Sequence, residues 1–499
     1  MAAPLILKRI ERAKQDRSRH APWINDILRL GLPTYRHLDR EREAQARTED
    51  QDDLFDTTLQ ETVEDFASDM IGTFTPRHER WVDMQPYEGI SPEAKREIEV
   101  ALKDYGDRIW DELERSNYWD AAQECFTFWA VSAMAVAVSD MGPLEPIHFQ
   151  PIELADLLLE RGADGSTTGR WREMKLTAAG LNQLWPTIFP APDERSRHKV
   201  SVVYDGCDRD YSVPGEEAWT YRIIVDGKEK YAKRSVGAGA ASIIACRFRH
   251  QADSAWGPGP AHKATPPARV LDELNYLGLK AIQKTVDPVT VYEEDGVMNP
   301  EGGIEPGTWL AMAAGSKAPE PLAPDVRFDA MIFKADELKK AVKKALYQDR
   351  PEQPGQTPPT ATQWLDEKQW NTRRRELPRD RCVREWVLPI IERVAWILKE
   401  RGQLPDIKLK GGDIVNVRPV SPLSKAKDLE DVQITGQMLA MIAQVGAAAA
   451  GGAPIDQKAT IEALKKTAKE RHIVMMSDEE IQQKAMAEAA MQMGGAGVA

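Results

Sequence analysis

The longest apolar run in the chain, Phe128 to Val138, is eleven residues long and contains a serine. A membrane-spanning helix needs about 20 apolar residues, so the run belongs to a core and not to a bilayer. With the residues before it, it predicts one helix from Tyr118 to about Ala135 that is apolar almost all round. A helix without a polar face is buried on every side, which makes this one the centre of its domain. The N-terminus, MAAPLILKRIERAKQDRSRH, turns charged after seven residues. It has no signal-peptide core or cleavage site and reads as the start of an amphipathic helix.

A chain of 499 residues is long enough for several domains. Hydrophobic residues make up 42% and charged residues 29%, a soluble globular balance and not a disordered one. Cys125, Cys207, Cys246 and Cys382 are scattered, with no CxxC pair. They predict small core residues in a reducing cytoplasm, not a zinc site or a disulfide framework.

Helical spacing recurs along the chain. It predicts helices over 1–32, from Thr58 to Met70 with a stop at Gly72 and Pro76, and over 91–116 behind Ser91-Pro92-Glu93. The acidic stretch before Thr58 reads as a solvated loop. Residues 146–250 carry short strand signals: Pro146 to Pro151, Trp171 to Leu176, Val200 to Tyr204, Trp219 to Val225 and Ser242 to Phe248. Asp226-Gly227 between Val225 and Lys228 is a hairpin signal. A helix is expected from Pro267 to Val286, short strands and turns over 288–328, and a lysine-rich helix from about Ala330 to Gln348. Residues 351–359 are a Pro-rich loop. A long helix follows, from about Thr360 to Arg401, kinked or divided at Pro389 and stopped by Gly402. Asp413 to Val420 is a strand, and the remainder is helical with a Gly-containing end.

Catalytic motifs are missing. There is no GxxxxGK[ST] loop, HExxH, GxSxG or strand-bounded GxGxxG. Acidic pairs such as Asp52-Asp53 and Glu293-Glu294 read as solvated surface, and His148 as a core or turn residue. Trp364, Trp370, Trp386 and Trp396 favour packing over base stacking. No catalytic residue, metal or cofactor is expected. The net charge is −13. Tight sequence-independent DNA binding is driven by phosphate neutralisation and is normally basic. Such a chain should not grip DNA, although DNA may slide past it.

Several segments in order resemble the head-to-tail connecting, or portal, proteins of short-tailed, podovirus-type bacteriophages. They are Asp56-Thr57-Thr58 to Thr75-Pro76 with Trp81, Ser116-Asn117-Tyr118, and Trp256-Gly257-Pro258-Gly259-Pro260 with Leu271 to Asn275. Val286-Asp287-Pro288, Asp295-Gly296-Val297, Thr360-Ala361-Thr362-Gln363-Trp364 and Ser421-Pro422-Leu423 follow. Gln363 stands where that family has an acid. The resemblance covers roughly residues 10–445.

The resemblance implies an α+β, mainly helical, multi-domain portal fold and a subunit of a closed ring of twelve. The wing would be 1–265 (with a small β section at 146–250) plus the long helix and strand of 360–420. The stem would be the helices 266–287 and 330–349, the clip 288–329, the channel loop 350–359, and the helical crown with a flexible end 421–499. It implies a non-enzymatic structural protein at the head-tail vertex of the virion, made in the host cytoplasm, through which double-stranded DNA is packaged and ejected. Its partners would be the terminase packaging motor, a tail adaptor, capsid and scaffold proteins, and no membrane. A tail adaptor or scaffold is the alternative, and a DNA-processing enzyme a more remote one. DNA-channel candidates are Lys334, Lys340, Lys344, Gln353, Gly355, Gln356 and Thr357. Clip docking candidates are Tyr292, Glu293, Glu294, Asp295 and Trp309. Two helices of about 20 residues, each about 30 Å long, flank the clip. One such arm cannot bury both its faces; a ring of arms can.

Overall fold

The computed structural model describes residues 3–38, 54–78, 80–82, 84–86, 92–142, 144–194, 196–212, 215, 217–249, 251–286, 290–291, 320–321, 328–349, 378–404 and 417–419. The N-terminal helix α1 (Ala3–Gly31) keeps Pro22 inside it. It is followed by α2 (Thr58–Phe74), a short strand β1 (Met84–Pro86), and α3 (Pro92–Arg115). The next helix, α4 (Tyr118–Val131), is buried along most of its length. Phe126, Phe128 and Trp129 are almost wholly buried. Trp129 meets Phe248 at 4.9 Å between ring centroids, and Phe74 stacks on Phe126 at 6.2 Å.

The structure corrects the apolar helix expected to reach Ala135. Helix α4 ends at Val131, and strand β2 (Ala133–Ser139) takes over. Ser132 is the joint. Its N–H still bonds the Phe128 carbonyl, while its hydroxyl donates to the Gly257 carbonyl at 2.8 Å. Strand β2 is the middle of a three-stranded antiparallel sheet, between β3 (His148–Pro151) and β9 (Ile243–Arg247). His148 is exposed on β3, not a core residue.

A five-stranded antiparallel sheet has the order β4-β5-β6-β7-β8: β4 (Leu157–Arg161), β5 (Thr167–Thr177), β6 (Val200–Asp210), β7 (Ala218–Val225) and β8 (Lys228–Val236). The Asp226-Gly227 hairpin forms as its sequence predicts. Both residues take positive φ, +46° and +74°, the backbone that a two-residue turn matched to strand twist requires. Ile6, Ile10 and Ala13 of α1 pack against Leu158, Trp171 and Ile224 on one face. The other face carries Met174, Val203 and Ile223, covered by Leu181 of α5 (Ala178–Leu184). Arg172 and Asp205 form a doubly hydrogen-bonded buried pair at 2.9 and 3.0 Å.

Helix α6 (Ala261–Val286) begins earlier than the expected 267 and takes Pro266 and Pro267 into its body. Each proline removes a bond to a carbonyl four residues back, and those carbonyls belong to His262 and Lys263, which face solvent. Helix α7 (Phe328–Ala345) is the lysine-rich one. Between them, β10 (Thr290–Val291) pairs antiparallel with β11 (Glu320–Pro321). Of the long helix expected over 360–401, residues before 378 lie outside the described residues. The rest is helical to Glu400, with a wide π turn at Val383–Val387 immediately before α8 (Leu388–Glu400). Pro389 therefore follows directly on the π turn, and the helix runs on through it. Gly402, at φ +70°, ends the helix; its N–H bonds the Lys399 carbonyl and that of Gln403 the Leu398 carbonyl. Strand β12 (Val417–Pro419) pairs with β1. The Pro-rich loop expected at 351–359 and everything after 419 lie outside the described residues.

All four cysteines are free and buried, as expected of small core residues.

Candidate functional site: a helical arm rooted in the core

Helices α6 and α7 pack against each other as the two limbs of an arm. Their burial changes along its length. At the root, Ala261, Ala264, Ala268 and Leu271 of α6, Val342 near the end of α7 and Leu346 just after it are buried. Toward the tip, Leu277, Leu279 and Ile282 of α6 and Ile332 and Phe333 of α7 are bare, from 45% exposed at Ile282 to 74% at Phe333. Val270 is half exposed as well. Single exposed apolar residues are ordinary, but a run of them along one element marks a contact surface. Helical spacing divides them. Val270 and Leu277, seven apart, share one face of α6; Leu279 and Ile282, three apart, share another.

The root is fixed by the segment Trp256 to Pro260. Trp256 is buried, and the Gly259 N–H bonds the Val131 carbonyl at 2.8 Å. A Cβ on Gly259 would fall 2.2 Å from the Ala130 carbonyl oxygen, and one on Gly257 2.3 Å from that of Arg249. These glycines are present because two backbones touch there. The motif thus threads against the end of α4 and aims α6 outward.

A clasp holds the middle of the arm. The Asp272 carboxylate accepts the N–H groups of Phe55 at 2.6 Å and Asp56 at 3.0 Å. Asn275 donates to the Phe55 carbonyl, and Phe55 packs on Tyr276 at 4.8 Å. Lys280 lies 4.1 Å over the Tyr276 ring. Arg269 pairs with Asp26 of α1.

Among the sequence-predicted site residues, Lys334, Lys340 and Lys344 are exposed on α7. Lys334 donates to Glu337 at 2.8 Å. Lys340 and Lys344, four apart, form one column, and Lys339 and Lys343 form the neighbouring one. At about 100° per residue, Lys334 lies about a third of a turn from the Lys340 column, so the three candidates do not share one face. Gln353, Gly355, Gln356 and Thr357 lie outside the described residues, as do Tyr292, Glu293, Glu294, Asp295 and Trp309. Trp386 is buried in the core, in line with the packing expectation; Trp364 and Trp370 lie outside the described residues. Sequence reasoning missed the Asp272–Phe55 clasp, for which the chain offers no motif.

One cluster has the side-chain types of a hydrolase. His20 Nε2 is 2.9 Å from Ser254 Oγ, and Ser254 Oγ donates to Asp16 at 2.7 Å. The protons run the wrong way for catalysis. Trp23 Nε1 donates to His20 Nδ1 at 3.2 Å, which leaves the ring proton on Nε2 and makes the imidazole a donor to serine. A nucleophilic serine needs it as acceptor. Burial also lowers the His20 pKa, which keeps the ring neutral. The cluster pins residues 254–256 to α1. Among the described residues, no group of three or more His, Cys, Asp or Glu side chains is placed to hold a metal ion, and no helix is long and apolar enough to cross a membrane.

No curated protein matches the chain. Solved structures similar to it at low overall superposition include two from gene transfer agent particles. One is described as the neck of an empty gene transfer agent (GTA) particle computed with C6 symmetry: 13% identity, 80% of this chain and 91% of that one, TM-score 0.37. The other is the virion of a native gene transfer agent particle: 15% identity, 70% and 91%, TM-score 0.30. The family model described as bacteriophage head to tail connecting protein matches residues 3–468, nearly the whole length. That family is one of structural connectors and not of enzymes. The chain belongs to the bacteriophage head-to-tail connecting protein family.

Proposed function

We propose that the chain is a portal subunit: one member of a closed ring at the head-tail vertex of the virion, through which double-stranded DNA enters the head and later leaves it. The observation that carries this reading is the arm, buried at its root and apolar on two faces toward its tip. A closed ring uses two different faces of each subunit, one for each neighbour. The Val270/Leu277 face and the Leu279/Ile282 face supply such a pair, and Ile332 and Phe333 extend the surface onto α7.

In this reading the ring has twelve subunits and α6 and α7 are its stem. Residues 288–329 form the clip that meets the terminase motor and then the tail adaptor, through Tyr292, Glu293, Glu294, Asp295 and Trp309. The loop 350–359, with Gln353, Gly355, Gln356 and Thr357, borders the channel. The lysine columns of α7 touch phosphates in passing. A chain with net charge −13 offers DNA a surface to slide on, because strong phosphate neutralisation would hold it.

Electron microscopy of the purified protein tests the assembly. The expected result is a ring with a central hole wide enough for a DNA duplex, converted to monomers by I332D/F333D. Monomers in the parent protein overturn the reading. Packaged DNA in particles carrying K334E/K340E/K344E tests the channel contact; unchanged packaging in intact rings removes it.

A further inference from the structure

One end of the five-stranded sheet has features that the arm does not use. The β7–β8 turn, the start of β8, and α5 with the segment after it enclose an open groove of about 530 Å³. Its floor is apolar: Leu181, Ile188, Phe189 and Val225. Lys228 and Lys230 form its rim. Both are exposed, and no described carboxylate pairs with either. Two acids lie close by, and one of them, Asp226, also lines the groove. Glu229 pairs with Arg222 at 2.6 Å, and Asp226 accepts the Val202 N–H at 3.0 Å. Lys233, also exposed, continues the basic edge along β8.

Lysines on an edge strand are a common way to prevent edge-to-edge pairing, and that accounts for Lys233. It does not account for an apolar groove opening beside two of them. An unspent cation pair next to buried-type surface suits a ligand that brings both carboxylates and an apolar side chain. Nucleic acid brings the charge, but its phosphates gain nothing from the Ile188 and Phe189 floor. In a chain of net charge −13, Lys228 and Lys230 still outnumber Asp226 along this groove, and the complementary surface is acidic.

We infer that this groove is a docking site for an acidic polypeptide segment of a partner protein, anchored by an apolar side chain on the Leu181/Ile188/Phe189 floor and held by Lys228 and Lys230. The inference does not rest on the ring, since groove and rim belong to one subunit.

The test uses the full chain and fluorescence anisotropy. The probes are a labelled Glu-rich peptide carrying two leucines, the same peptide with serines for leucines, and a short DNA duplex. The expected result is saturable binding of the leucine peptide, weakened about tenfold by K228E/K230E and again by I188Q. The serine peptide and the duplex bind more weakly. Thermal melting of both variants checks that the fold survives, and K228Q/K230Q separates loss of charge from its reversal. No binding of the leucine peptide overturns the proposal. So does equal binding in K228E/K230E, or a duplex or serine peptide that binds as tightly, which reduces the site to a generic basic patch. None of these outcomes bears on whether rings form.

Discussion

Gly278 on α6 faces Met331 on α7 so closely that a Cβ on the glycine would fall 2.8 Å from the methionine sulfur. The two limbs of the arm touch at this point, and the contact sets their spacing. The obstacle is the mobile end of an unbranched side chain, which can move aside. Gly278→Ala should therefore be tolerated, with the helical gain over glycine offsetting the crowding. Gly278→Ile should force the limbs apart and cost about 1–3 kcal/mol. Urea midpoints for the two variants, at matched slopes, check this.

Gly259 makes a different prediction from a similar-looking contact. Its neighbours are the backbone of Ala130 and Val131, which cannot swing away. Gly259→Ala should cost about 1–3 kcal/mol and aim α6 wrongly. Gly72, inside α2 with open space around it, is the control: Gly72→Ala should add about 0.5–1 kcal/mol. Opposite signs in thermal melts are the expected outcome.

The Arg172–Asp205 pair is buried between the sheet and its covering segments. Removing one partner strands a charge. Arg172→Ala or Asp205→Ala should each cost about 3–5 kcal/mol, while an apolar replacement of both should cost much less. A double-mutant cycle in urea measures the difference.

Glu392 on α8 is a half-buried carboxyl whose pKa is pushed up to about 7, chiefly by desolvation and further by Glu217. Its ordinary value is 4.5. The folded protein holds the proton more tightly than the unfolded one. The contribution is thus fully present below about pH 4.5 and is lost as pH rises through about 7. Glu392→Gln should match the parent near pH 4.5 and exceed it at pH 8 by roughly 1–3 kcal/mol. Urea titrations at the two pH values read the sign directly.

Asp272 binds two backbone N–H groups at the entry to α2. Asp272→Ala leaves both to water and should expose residues 54–57 to rapid hydrogen exchange, at a stability cost of about 1–2 kcal/mol. Unchanged protection there counts against the clasp.

The chain reveals its helices and hairpins more readily than its joints. The Asp226-Gly227 turn was legible because only a few residues tolerate positive φ. The end of α4 was not. Strand β2 lies between β3 and β9 with both faces buried, so its residues do not alternate, and an apolar run of that kind reads equally as helix. The early start of α6 was hidden by Pro266 and Pro267, which ordinarily mark a first turn; here the carbonyls they free belong to solvent-facing residues. The WGPGP segment was legible as a motif, and the structure supplies its cause in the two glycines pressed against backbone. The apolar tip of the arm was visible as residues but not as a surface, because which side chains stay bare depends on how α6 and α7 pack. The groove beside β8 draws on α5, β7 and β8, elements that no local pattern links.

An arm anchored at one end and bare at the other is a cantilever. A push on Phe333 is carried down α7 to Val342 and Leu346, where α7 meets the protein's core. Along α6 it reaches Asp272, and through Asp272 the start of α2. Whatever grips the tip is therefore joined to the N-terminal helices by way of residues 55 and 56, the last stretch of chain before α2.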